Sequence, residues 1–101
     1  MTYGTITTVV GEVEVYDRLH AALLARTEGA VDGLLVHVGR RTADGFQVIE
    51  VWESEAQLER CNREVLWPLA AEIGLPLSEH PPVFESFDPR GLVLSGVRLV
   101  R

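Results

Sequence analysis

The sequence predicts an α+β fold, ferredoxin-like, in which a βαββαβ chain builds an antiparallel sheet with helices on one face. Three observations predict it. Runs rich in Thr, Val, Ile and aromatic residues stand at Tyr3–Val10, Gly33–Arg41, Phe46–Trp52 and Val83–Phe87, as extended segments favour. Apolar residues at helical spacing fill the gap after the first run and the gap after the third. An Asp44-Gly45 turn joins the second and third runs, which makes them antiparallel neighbours.

Composition bounds the rest. A chain of 101 residues with 47% apolar content is one folded domain rather than a disordered segment. Residues 1–87 carry the ferredoxin-like pattern, and residues 88–101 form a strand-like extension ending LVLSGVRLVR. That run is expected to add a fifth strand or cross to a partner subunit. The net charge is −6, there is no lysine and the arginines are scattered. Nucleic acid is therefore not an expected partner, because neutralising phosphates needs clustered basic residues. Cys61 is the single cysteine, so no internal disulfide can form. The start of the chain lacks a basic-then-apolar signal pattern, and no apolar run approaches the ~20 residues that span a bilayer. The expected setting is the cytoplasm, with no membrane partner.

Taken in order, Tyr3–Val10 has two mildly apolar faces, so both are expected to be covered. From Val13 to about Glu28, the residues Tyr16, Leu19, His20, Leu23 and Leu24 form one helical stripe. Gly29 is the expected C-cap. In the second strand, Leu34, Val36 and Val38 share one face, and Leu35 and His37 the other. In the third, Phe46, Val48, Glu50 and Trp52 alternate with Gln47, Ile49 and Val51. Ser54 with Gln57 three residues on is a capping box, in which the Gln57 side chain would reach back to the Ser54 N–H. Leu58, Cys61, Asn62, Val65, Leu66, Leu69 and Ile73 form the inner stripe of the helix that follows. Pro68 lacks an N–H and clashes one turn back, so a kink or break is expected near Leu66–Trp67. A short helix with Pro68 in its first turn would follow. Prolines lead into Val83–Phe87, which suits an edge strand. The sheet face away from the helices is too apolar for water, and pairing it with a second copy predicts a homodimer through sheet faces.

The GLLVH strand, the VIEVWES junction and the helix ending WPLAAEIGLP resemble the antibiotic biosynthesis monooxygenase-like group. The resemblance covers roughly Tyr3 to Phe87. It implies a dimeric α+β barrel and a pocket between sheet and helices or between the two sheets. Members of that superfamily include cofactor-independent oxygenases of aromatic polyketides, haem-degrading enzymes, cyclase-like and isomerase-like proteins, and proteins without known activity. The haem-degrading role is disfavoured, since Ser54 to Ile73 holds no histidine to ligate iron.

Candidate site residues are polar groups on otherwise apolar faces, where burial needs a compensating reason. Glu50 reads either as a general base or as half of an ion pair at the sheet end. His37 reads either as an acid/base near neutral pH or as a core histidine bonded to backbone. Trp52 is core or pocket wall with an N–H able to orient a carbonyl. Asn62 can donate to a substrate oxyanion, or bond to backbone where the helix loosens. His20 is a binding residue or a rim histidine. Tyr16 and Trp67 read as pocket walls or as ordinary packing, and His80 as a loop residue. Cys61 reads as an apolar filler. The histidines, Cys61 and the carboxylates lack metal-ligand spacing, and no Gly-rich phosphate loop is present, so neither a metal nor another cofactor is implied. Two functions follow as expectations. One is a cofactor-independent monooxygenase or related cyclase or isomerase acting on a small aromatic, apolar or polyketide-like molecule. The other is a non-catalytic dimeric module, ligand-binding or stress-related. Convergence of His37, Glu50 and Asn62 on one space favours the first.

Overall fold

The computed structural model describes residues 2–74 and 81–94. Strand β1 (Tyr3–Val10) leads through helix α1 (Val13–Thr27) to the hairpin of β2 (Leu34–Arg41) and β3 (Gly45–Trp52). A second helical rod follows as α2 (Glu55–Cys61), a π-helical turn (Asn62–Leu66) and α3 (Trp67–Glu72). Strand β4 (Val83–Phe87) completes an antiparallel sheet of order β2-β3-β1-β4. This is the ferredoxin-like arrangement, with β3 and β1 central and β2 and β4 at the edges. Residues 88–94 form neither helix nor strand. The fifth strand expected of the tail lies largely beyond the described residues, and so does His80.

Strand register divides the side chains between two faces. Thr5 pairs with Glu50 and with Ser86, and Glu50 pairs with His37, so these four share a face. The helices cover that face, and the core there holds Thr5, Phe46, Trp52, Leu58 and Leu69. Arg18 donates to the Ile73 carbonyl at 3.0 Å and Arg26 pairs with Glu72 at 2.7 Å, which clips α1 to the end of the second rod. The opposite sheet face carries Ile6, Val36, Val38, Ile49, Val83 and Phe87. Among the described residues no helix covers it: Val51 there is buried, but Val38, Val83 and Phe87 are exposed. Phe87 lies flat against Gly4, where a Cβ would collide with its ring.

Two local expectations are corrected and a third is made specific. Helix α1 ends on Glu28, not Gly29: Glu28 takes the left-handed conformation (φ 56°) and Gly29 follows in it (φ 79°). At the start of α2, Ser54 Oγ accepts from the Gln57 N–H at 3.2 Å and donates to Gln57 Oε1 at 2.8 Å. Gln57 Oε1 is thus taken by the Ser54 hydroxyl instead of reaching back to the Ser54 N–H, and Gln57 Nε2 donates outward to Asp32. The interruption expected near Leu66–Trp67 takes the form of a π-helical turn rather than a break, since the chain stays right-handed helical through both residues. A widened turn absorbs the proline, and the Trp67 N–H donates to the Asn62 carbonyl five residues back. The extra residue in that turn relieves the clash that Pro68 makes with the preceding turn, and Pro68 sits in the first turn of α3.

Candidate functional site

Three elements assemble a cluster on the helix-covered face. The stripe of α1 sets Tyr16 and His20 one turn apart, so both lean toward the sheet. The β2–β3 pairing sets His37 directly opposite Glu50. A register irregularity between Leu34 and Val36 precedes it, as bulges often do beside functional side chains. Two residues along β3, Trp52 shares the face of Glu50.

The hydrogen bonds form a chain. Glu50 Oε2 lies 2.7 Å from His37 Nδ1, and His37 Nε2 lies 2.7 Å from Tyr16 Oη. Trp52 Nε1 donates to Glu50 Oε1 at 3.1 Å. A carboxylate is an acceptor only, so the contact with Glu50 favours the His37 tautomer with its proton on Nδ1, and in that tautomer Nε2 accepts from the phenol. The side chains of His37 and Glu50 are only 20% and 17% exposed, which sets this pair apart from a solvated surface ion pair. The rings of Tyr16, His20 and His37 lie nearly parallel, with centroids 5.3–6.0 Å apart. His20 Nδ1 comes within 3.4 Å of Tyr16 Oη.

The surroundings tune the protons. Burial raises the pKa of the Tyr16 phenol above its usual value, and the charges of Glu50 and Asp17 add to it. Burial, then the neighbouring His37, lowers that of His20, against a smaller opposing pull from Asp17. Tyr16 is therefore a neutral phenol and His20 a neutral imidazole at neutral pH. Burial and the Glu50 charge also raise the Cys61 thiol pKa, so Cys61 is not a ready thiolate.

Five of the seven candidates thus meet: Tyr16, His20, His37, Glu50 and Trp52. The other two stay outside the hydrogen-bonded and stacked cluster. Asn62 is half-buried at the first position of the π turn, and Trp67 is 63% exposed. One contributor has no side chain. Gly39 follows His37 on the same strand face, and a Cβ there would strike the Tyr16 ring. The glycine opens the space through which the phenol reaches His37. Its signal in the sequence is only its place two residues beyond the histidine. An open depression at Gly29–Asp32 and Leu34 lies at the α1–β2 turn, away from this cluster. Among the described residues no group of three or more His, Cys, Asp or Glu side chains is arranged to hold a metal. No helix among them is long and apolar enough to cross a membrane.

Fold and cluster together describe a small antiparallel-sheet α+β protein with a carboxylate–imidazole–phenol chain under its helices. Solved structures with this fold include some that carry the name of the group the sequence resembles. One, provisionally named an antibiotic biosynthesis monooxygenase, is from Caulobacter crescentus. It is similar at TM-score 0.70 and 21% identity over 89% of this chain and 91% of its own. Another with the same provisional name, from Chloroflexus aurantiacus, is similar at TM-score 0.67 and 22% identity, covering 90% and 95%. SnoaB, a cofactor-independent oxygenase from Streptomyces nogalater, is similar at TM-score 0.58 and 20% identity, covering 90% and 93%. At these identities the likeness establishes the fold. No family model matches the chain, and no curated protein matches its sequence.

Proposed function

We propose that this chain is a cytoplasmic, cofactor-independent monooxygenase, or a related cyclase or isomerase, acting on an aromatic or polyketide-like small molecule. The observation that carries the reading is the hydrogen-bonded chain from Glu50 through His37 to Tyr16, partly withdrawn from water. Such an arrangement is an acid–base device: the carboxylate fixes the imidazole tautomer and stabilises the imidazolium formed when a proton arrives. In a cofactor-free oxygenation the device removes a proton from a phenol or an enolisable carbon. The electron-rich substrate anion then reacts with dioxygen itself, and the protein contributes dryness and hydrogen bonds to the oxyanion. The likeness to SnoaB supports that reaction class. Asn62, half-buried at the first position of the π turn, is the oxyanion donor in this reading, and Trp67 a wall at the entrance.

The apolar sheet face opposite the helices supports a homodimer through sheet faces, the second part of the proposal. Oxygen uptake with an anthrone as substrate tests the chemistry. We expect turnover above the buffer rate, with His37→Ala and Glu50→Ala each lowering it about a hundredfold. Uptake at the buffer rate, or variants as fast as the parent, would refute the oxygenase.

A further inference from the structure

In the cluster, the groups most able to act as bases are already engaged. Both ring nitrogens of His37 are taken, Nδ1 by Glu50 and Nε2 by Tyr16. Both oxygens of Glu50 are taken too, by His37 and by Trp52. A phenol oxygen offers one donor and two acceptor positions. Tyr16 Oη gives its proton to His37 and faces His20 Nδ1, which leaves one acceptor position for an incoming proton.

We propose that Tyr16 is the group through which the Glu50–His37 pair exchanges protons with substrate. This rests on the acid–base reading of the site and replaces direct contact between His37 and substrate. The substrate's C–H or O–H proton passes to Tyr16 Oη as the phenol proton moves to His37 Nε2. The C–H or O–H bond breaks, and its electron pair stays on the substrate as an enolate or phenolate. His37 becomes an imidazolium held against Glu50, and the reverse transfer restores the site. No oxidant enters this step. The phenol is suited to it because it is neutral at rest and coupled to a base at 2.7 Å. Gly39 fits the same reading, since its missing Cβ is what lets the Tyr16 ring lie along β2. The ionisable groups around Tyr16 Oη are Asp17 and His20 from α1, His37 from β2 and Glu50 from β3.

Two measurements test it. The first needs no substrate: ring-nitrogen NMR shifts of His37 in the parent protein and in Tyr16→Phe, with folding checked by circular dichroism. Loss of the phenol donor should move the Nε2 resonance toward that of a free imine nitrogen and leave Nδ1 on Glu50. An unchanged Nε2 resonance would overturn the proposal whatever the substrate. The second is deuterium uptake by an anthrone methylene in D2O under argon, which isolates proton transfer from oxygen chemistry. Tyr16→Phe and Gly39→Ala should each lower the exchange kcat about a hundredfold with little change in KM. The double variant Tyr16→Phe/His37→Ala should be no slower than either single one, as for groups acting as a unit. Exchange lost in His37→Ala but retained in Tyr16→Phe would overturn the relay and leave the acid–base site standing. A parent protein that neither exchanges the methylene nor takes up oxygen would overturn both.

Discussion

At the scale of single residues, His20 and Tyr16 hold their neutral forms in the folded chain, and this sets a pH dependence. The folded state lowers the His20 pKa below its ordinary 6.5. Between the two values the unfolded chain binds the proton and the folded chain does not, so stability is full above pH 6.5 and falls as the pH drops below it. Tyr16 works at the other end. Its pKa lies above the ordinary 10.0, so its contribution is full below pH 10 and is lost as the pH climbs past that point. Denaturation midpoints measured from pH 4 to 11 should show a plateau with both shoulders. His20→Gln should flatten the acid shoulder, and Tyr16→Phe the alkaline one. The sequence marks Tyr16, His20, His37, Glu50 and Trp52 as polar residues on inward faces. It does not show that Trp52 spends its N–H on Glu50, because that bond depends on side-chain directions within one strand.

At the scale of elements, the second helical rod carries the most local information. Ser54 starts it by accepting from the Gln57 N–H at 3.2 Å, and Leu58, in the second turn, is buried in the core. Ser54→Ala should cost about 1 kcal/mol of stability, read from urea denaturation, and leave the slope of the transition unchanged. A loss well above that would show that Ser54 supports more than the helix start. The cap was legible because a hydroxyl and an amide three residues apart need no distant partner. The response to Pro68 was legible only as a disturbance. Whether a helix breaks, kinks or widens depends on what its sides pack against, and here Leu58 before the turn and Leu69 after it are both buried. A widened turn keeps both on the core side, whereas a break would free one of them. The same turn holds Asn62 at its first position.

At the scale of the whole molecule, helices cover one sheet face, and among the described residues no helix covers the other, which is apolar. Val38 lies on that second face with 47% of its surface exposed. If that face joins two copies, Val38→Asp places a charge in the interface and should halve the mass seen by light scattering, with the fold unchanged by circular dichroism. A parent protein of about 11.2 kDa at micromolar concentration would remove the dimer from the proposal. The sequence by itself determined the element order, the Ser54 N-cap and the hairpin, and the face on which each strand residue falls, because these follow from spacing within a short stretch. Only the tertiary structure decided which inward groups touch. His37 meets Glu50 across 13 positions and Tyr16 across 21. Those contacts are set by strand register and by the seat of α1 over β2, where Gly39 leaves room for a ring. Periodicity fixes a side chain's direction, but distance between elements fixes its partner.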